Sequence, residues 1–176
     1  MKNPSRLFPC LIACIALVAC ATTERVSAAG DVHRFLVSIR DDDRQAFDAL
    51  IDRPALEAQL QSMLVEKAQS ATAPDALKGV GLLVSGPLAK AAGKALLRPE
   101  VFRAVADYYG YRPDMQIPGA LAIAGMLRPV DNGRVCAARG KQGPCLLTFA
   151  NEDGAWRLVA FSDAAAMLRL GRRGAP

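Results

Sequence analysis

The stretch 131–161, DNGRVCAARGKQGPCLLTFANEDGAWRLVAF, decides the fold class. Asp131-Asn132-Gly133 and Gly140-Lys141 are turn signals, and the runs Arg134 to Ala138, Leu146 to Ala150 and Trp156 to Phe161 read as short strands. Together they predict a three-stranded antiparallel meander. Upstream of it the apolar spacing is helical, so the expected architecture is α+β, with N-terminal helices packed on a small three-stranded antiparallel sheet near the C-terminus.

The same stretch holds Cys136 and Cys145. A two-residue type II′ turn at Gly140-Lys141 sets Cys136 opposite Cys145 at a non-hydrogen-bonded site, where side chains are closer. Pro144 objects, because it would fall opposite Ala137 in a hydrogen-bonded position with no N–H to give. Either the strand lies at an edge there, or the loop is wider and the register shifts. In an oxidising compartment the two thiols are expected to form a disulfide closing about ten residues, which the chain-entropy model values at roughly 2–3 kcal/mol. A zinc site is the rival reading of the pair. It fails for want of two further ligands, since His33 is distant and is the chain's single His.

That compartment is read from the other end of the chain. Lys2 and Arg6 precede an almost unbroken apolar run from Leu7 to Ala19, which has the form of a secretory signal and is too short for the roughly 20 residues of a spanning helix. The run ends in Leu17-Val18-Ala19-Cys20, which resembles the lipobox of bacterial lipoproteins. The resemblance implies that residues 1–19 are removed and that Cys20 carries the acyl chains. Ala21 in place of an acidic residue then leans towards the outer membrane. Val26-Ser27-Ala28 offers ordinary signal peptidase a rival site, which would release a soluble periplasmic protein. Leu11-Ile12-Ala13-Cys14 is a second lipobox-like string, but its apolar segment would be only about seven residues, at the bottom of the range. Cys10 and Cys14 lie in the discarded segment. The expected organisation is therefore signal 1–19, tether 20–30, one α+β domain 31–171 and a tail 172–176.

Within that domain, Asp31 can cap a helix with Val32, Phe35, Leu36 and Ile39 on one face, ended by the Asp41-Asp42-Asp43 triplet. A second helix turns Ala46, Phe47, Leu50 and Ile51 inward. A third follows Asp52-Arg53-Pro54 with Leu56, Leu60, Met63 and Leu64 on a stripe. Ser70 to Pro74 is a linker. Residues 75–97 form a Gly- and Ala-rich helix kinked at Ser85-Gly86-Pro87; its charge-free run between Lys78 and Lys90 is too short to cross a bilayer, so a buried helix is expected. Pro99 opens a helix with Phe102 and Val105 inward. Ala120 to Leu127 fits a short helix or an edge strand, with helix the expectation, and Ser162-Asp163 caps a last short helix stopped by Gly171.

Composition limits the function classes. The chain has 176 residues, 52% hydrophobic and 22% charged, which suits one globular domain and excludes a disordered chain. Residues 21–75 carry 10 acidic and 6 basic side chains and residues 76–176 carry 7 acidic and 14 basic. Scattered solvated Arg accounts for this, as no run of like charge exceeds the Asp triplet. If Arg103, Arg112, Arg134, Arg139 and Arg157 share a face, the basic half is a candidate for an anionic surface. An exported protein of this charge is not expected to bind nucleic acid. His33 lies off the apolar stripe and should face water, which argues against a Ser-His-Asp or Cys-His centre. Asp41 to Asp43 with Asp48 lack the alternation and the Gly of a calcium loop and are better read as capping. Tyr108, Tyr109 and Tyr111 are expected to wedge a helix end against the sheet with their hydroxyls in solvent. No cofactor or metal site is expected.

Ala46-Phe47, then Leu50-Ile51-Asp52-Arg53-Pro54-Ala55-Leu56, a Gly/Ala-rich helix before Arg98-Pro99-Glu100, and a closing Leu147-Thr148-Phe149 with Gly154-Ala155-Trp156-Arg157-Leu158 resemble the bacterial family known as domain of unknown function 2939. The resemblance would cover most of residues 31–161. Arg53 stands where the family usually has an aromatic, and Glu57 where it usually has Arg. The family brings no catalytic residues. The strand ending in Trp156-Arg157-Leu158 is also similar to the exported relatives of the nuclear-transport-factor-like cone fold. The reading is an exported, lipid-anchored envelope protein, non-catalytic, that binds another envelope component or helps hold an assembly. The alternative is an envelope enzyme or small-ligand carrier with a pocket between the sheet and the Gly-rich helix.

Overall fold

The computed structural model describes residues 7–69, 93–108, 110–112, 114–138 and 143–162. Among the described residues, beside a helical turn at 93–96, the elements in chain order are α1 Leu7–Asp41, α2 Arg44–Ala49, α3 Arg53–Gln69, α4 Pro99–Tyr108 and α5 Ala120–Met126, then β1 Leu127–Val130, β2 Arg134–Ala138, β3 Cys145–Glu152 and β4 Ala155–Phe161. The fold is α+β. The linker Ser70 to Pro74, the Gly-rich helix up to residue 92, the Gly140-Lys141 turn, the last helix from Asp163 and the tail lie outside the described residues.

The sheet has four strands in the order β1-β2-β3-β4, all antiparallel, rather than the three expected. The added strand is Leu-Arg-Pro-Val, directly after α5. Pro129 hides it from sequence pattern, since proline gives the ladder no donor, but β1 is an edge strand and one side of an edge needs none. The helix expected at Ala120 to Leu127 is α5, one residue shorter. Asn132 (φ 64°) and Gly133 (φ 63°) turn the chain between β1 and β2, and Asp153 (φ 51°) with Gly154 (φ 85°) make a two-residue turn between β3 and β4. Positive φ at both central residues matches the right-handed twist of hairpin strands, and Asp-Gly tolerates it.

The second difference is register. Cys136 pairs with Thr148, and Ala138 with Cys145, with a bulge between the pairings of Ala137 and Ala138. The chain between Ala138 and Cys145 is therefore wider than two residues, the second of the two outcomes that Pro144 allowed, and the two cysteines are diagonal rather than directly opposed. The bulge nevertheless leaves their Cα atoms 5.5 Å apart, and the disulfide Cys136–Cys145 is formed.

The third difference is at the start of the domain. Residues 21–30, expected as a tether, are helical and continuous with α1, and Asp31 caps nothing. Ala28 and Ala29 are buried in the core. Ser27 Oγ accepts a hydrogen bond from Trp156 Nε1 at 3.1 Å, and Asp31 Oδ2 accepts one from the Trp156 backbone N–H at 2.8 Å. The contacts that order this segment come from a strand 125 residues away in sequence, which local pattern cannot register.

The rest of the helical reading is close. α1 ends at Asp41, Asp42 takes a positive φ of 59°, and Asp43 caps α2 by accepting the Ala46 N–H at 3.0 Å. Asp52 Oδ1 caps α3 through the Ala55 N–H at 3.0 Å. Between them α2 stops at Ala49, earlier than expected. Leu50 to Asp52 run along the free edge of β4 instead, where Ile51 bridges Leu158 in parallel, Leu158 N–H donates to Leu50 and Asp52 N–H to Leu158. Helices and sheet enclose a phenyl cluster. Phe35 of α1 lies 5.6 Å from Phe47, 5.8 Å from Phe102 and 5.7 Å from Phe149, and Phe161 closes on Phe102 at 6.5 Å. Offset and edge-to-face rings of this kind add to the burial of their area.

Candidate functional site

Three places carry the candidate residues. The first is Cys20, whose backbone lies in α1. No helix of the described residues is long and apolar enough to cross a membrane.

The second is the disulfide. Arg128 on β1 pairs with Cys136, and its guanidinium lies over the bridge, 3.7 Å from Cys136 Sγ and 3.8 Å from Cys145 Sγ, while donating to the Gly143 carbonyl at 2.8 Å. The side chain thus ties the strand before β2 to the segment that enters β3. Cys136 is fully buried. Among the described residues no group of three His, Cys, Asp or Glu could hold a metal ion.

The third is a cleft of about 250 Å³ lined by Arg44, Asp48, Arg53, Lys94, Leu97, Arg98 and Pro99. It forms where α2, the start of α3, the helical turn 93–96 and the start of α4 meet. Arg53 pairs with Asp48 and also donates to the Leu97 carbonyl at 3.4 Å. Arg44 pairs with Glu100 in the first turn of α4. The Glu100 backbone N–H, then Arg44 and more weakly Arg98, hold the Glu100 carboxyl below its ordinary value. Gly93 lets α3 approach: a Cβ there would meet Glu57 Cγ at 3.0 Å. Lys94 and Arg98 have no carboxylate partner among the described residues.

A family model described as "Protein of unknown function (DUF2939)" matches residues 13–105. The chain belongs to this family. The DUF2939 match runs from the N-terminal part of α1 into α4 and contains every residue lining the cleft, whereas the disulfide and the whole sheet lie beyond it. The resemblance read from the sequence extended to residue 161, and the matched segment ends well before that. No curated protein and no solved structure matches the DUF2939 chain.

The remaining residues singled out in the sequence do not converge. His33 is partly buried, and its Nδ1 lies 2.9 Å from the Pro118 carbonyl ahead of α5. Asp48 belongs to the cleft rather than to the Asp41 to Asp43 turn. Tyr111, expected to send its hydroxyl to solvent, has the oxygen buried and without a partner among the described residues; Tyr109 and the Tyr108 side chain lie outside them. Of the basic set, Arg103 donates to the Ile39 carbonyl at 2.8 Å and 3.1 Å, and Arg139 lies outside the described residues. Arg134 and Arg157 do share a cross-strand row, on either side of Ala150. Arg157 lies 3.4 Å from Glu152. The cleft itself was missed: its cations are spread over residues 44–98, and no local spacing connects them.

Proposed function

We propose that this DUF2939 chain is exported to the cell envelope and anchored there through a lipid on Cys20, its α+β domain serving as a non-catalytic binding or assembly module. The observation that carries the reading is that Ser27, Ala28 and Ala29 belong to the packed fold. Cleavage before Cys20 keeps Ser27, Ala28 and Ala29, and with them the hydrogen bond from Trp156 Nε1 and two buried positions of the core. Cleavage after Ala28, the soluble periplasmic alternative, removes Ser27 and Ala28. The lipobox-like Leu17-Val18-Ala19-Cys20 and the disulfide, a bond of oxidising compartments, support the same reading. Ala21 favours the outer membrane, by analogy with other lipoproteins. An anionic envelope surface or another envelope protein would be its partner.

The test is Cys20→Ser. The wild-type protein is expected to partition into detergent and to gain the mass of acyl chains, and the variant to lose both. Unchanged processing and membrane association in the variant would overturn the anchor.

A further inference from the structure

We infer that the cleft between α2, α3 and the start of α4 binds a phosphate monoester group. Four cationic side chains line it, Arg44, Arg53, Lys94 and Arg98, against one carboxylate, Asp48. Asp48 pairs with Arg53, and Glu100, which lies outside the lining, pairs with Arg44. Two positive charges, those of Lys94 and Arg98, are left without a carboxylate partner among the described residues. A phosphate monoester carries roughly −1.5 to −2 charge at neutral pH, which matches that surplus.

The two ion pairs do more than cancel charge. Asp48 and the Leu97 carbonyl orient Arg53, and Glu100 draws the more exposed Arg44 towards α4, so both guanidiniums are biased towards their positions before a ligand arrives. Less side-chain entropy is then lost on binding. Each guanidinium keeps further N–H donors for oxygens of the ligand. The size agrees with a small anionic group. At about 250 Å³ the cleft is below the roughly 300–1,000 Å³ of pockets that enclose drug-sized ligands. The inference is independent of the lipid anchor.

The phosphate could be free or could belong to a lipid head group, and one titration separates these sources. The full chain in non-ionic detergent is titrated calorimetrically with sodium phosphate, and separately with dihexanoyl phosphatidic acid below its critical micelle concentration, at constant ionic strength set with chloride. Saturable one-to-one binding of either is the expected result. Equal affinities identify the free anion as sufficient, and a tighter phosphatidic acid identifies the lipid head group. The double variant Lys94→Gln/Arg98→Gln should bind at least tenfold more weakly. Arg134→Gln/Arg157→Gln, which removes the same charge from the sheet, should bind like wild type. Circular dichroism checks that both variants fold. Absence of saturable binding of both probes at millimolar concentration, or an equal loss in the two double variants, would overturn the inference.

Discussion

Asp31 accepts the Trp156 backbone N–H from within α1, where its carboxylate is almost wholly buried and also paired with Arg34. Asp31→Ala would leave that N–H without a partner inside the protein, and bonds to charged groups are worth about 1.5–3 kcal/mol. The variant should lose about that much in urea unfolding followed by the fluorescence of Trp156, the chain's one tryptophan. Ser27→Ala removes a neutral bond to the indole and should cost about 1 kcal/mol. Two glutamates differ in sign. Glu100 is held below its ordinary value by its own backbone N–H and by Arg44, so its ionised form stabilises the fold above about pH 4.5, and that stability is lost as pH falls through the lowered folded value. Glu152 is raised, first by burial and then by Asp52, against the opposing Arg157. Its ionised form therefore costs stability, and the cost grows as pH rises from the ordinary value of about 4.5 towards the raised folded value, above which it is constant. Glu100→Gln should destabilise at pH 7 and become neutral in acid. Glu152→Gln should stabilise at pH 7 and not at pH 4. Thermal melts of both variants across that range check the pair of signs.

At the scale of elements, the hairpin of β2 and β3 depends on a cross-link between residues nine apart. Reducing it should lower stability by roughly 2–3 kcal/mol on the chain-entropy model, and Cys136→Ala/Cys145→Ala should behave like the reduced wild type. Urea midpoints with and without reductant measure this, and intact mass after alkylation reports the bond itself. Arg128 and the bulge beside Ala138 fix a register that a two-residue turn would not give. The strands β2, β3 and β4 were legible because their runs are apolar and separated by Gly-containing turns. β1 was not, because a four-residue strand containing Pro129 has no local signature and forms only where β2 offers an edge. The capping role of the Asp41 to Asp43 triplet was legible for the opposite reason: Asp43 acts within three residues of itself.

Across the whole molecule, α1 is the element on which the others meet, packing against α2, α4, α5 and the sheet. Phe35 in its C-terminal part touches rings from α2, α4 and β3, so Phe35→Ala should cost about 3–5 kcal/mol, the range for a phenyl removed from a core. A chain beginning at Ala21 should melt like one beginning at Met1, whereas a chain beginning at Asp31 should melt lower, having lost Ser27, Ala28 and Ala29. Scanning calorimetry of the three decides whether the segment expected as a tether is part of the fold. The sequence by itself determined the α+β class, the capping by the Asp41 to Asp43 triplet, the cysteine pair and the family resemblance, since these rest on periodicity, on side chains bonding nearby backbone and on simple elimination. Tertiary structure alone decided the fourth strand, the hairpin register, the ordering of residues 27–30 and the gathering of Arg44, Arg53, Lys94 and Arg98 around one cleft. Each of these depends on partners brought together by packing, and contacts between residues far apart in the chain leave no period or spacing to read.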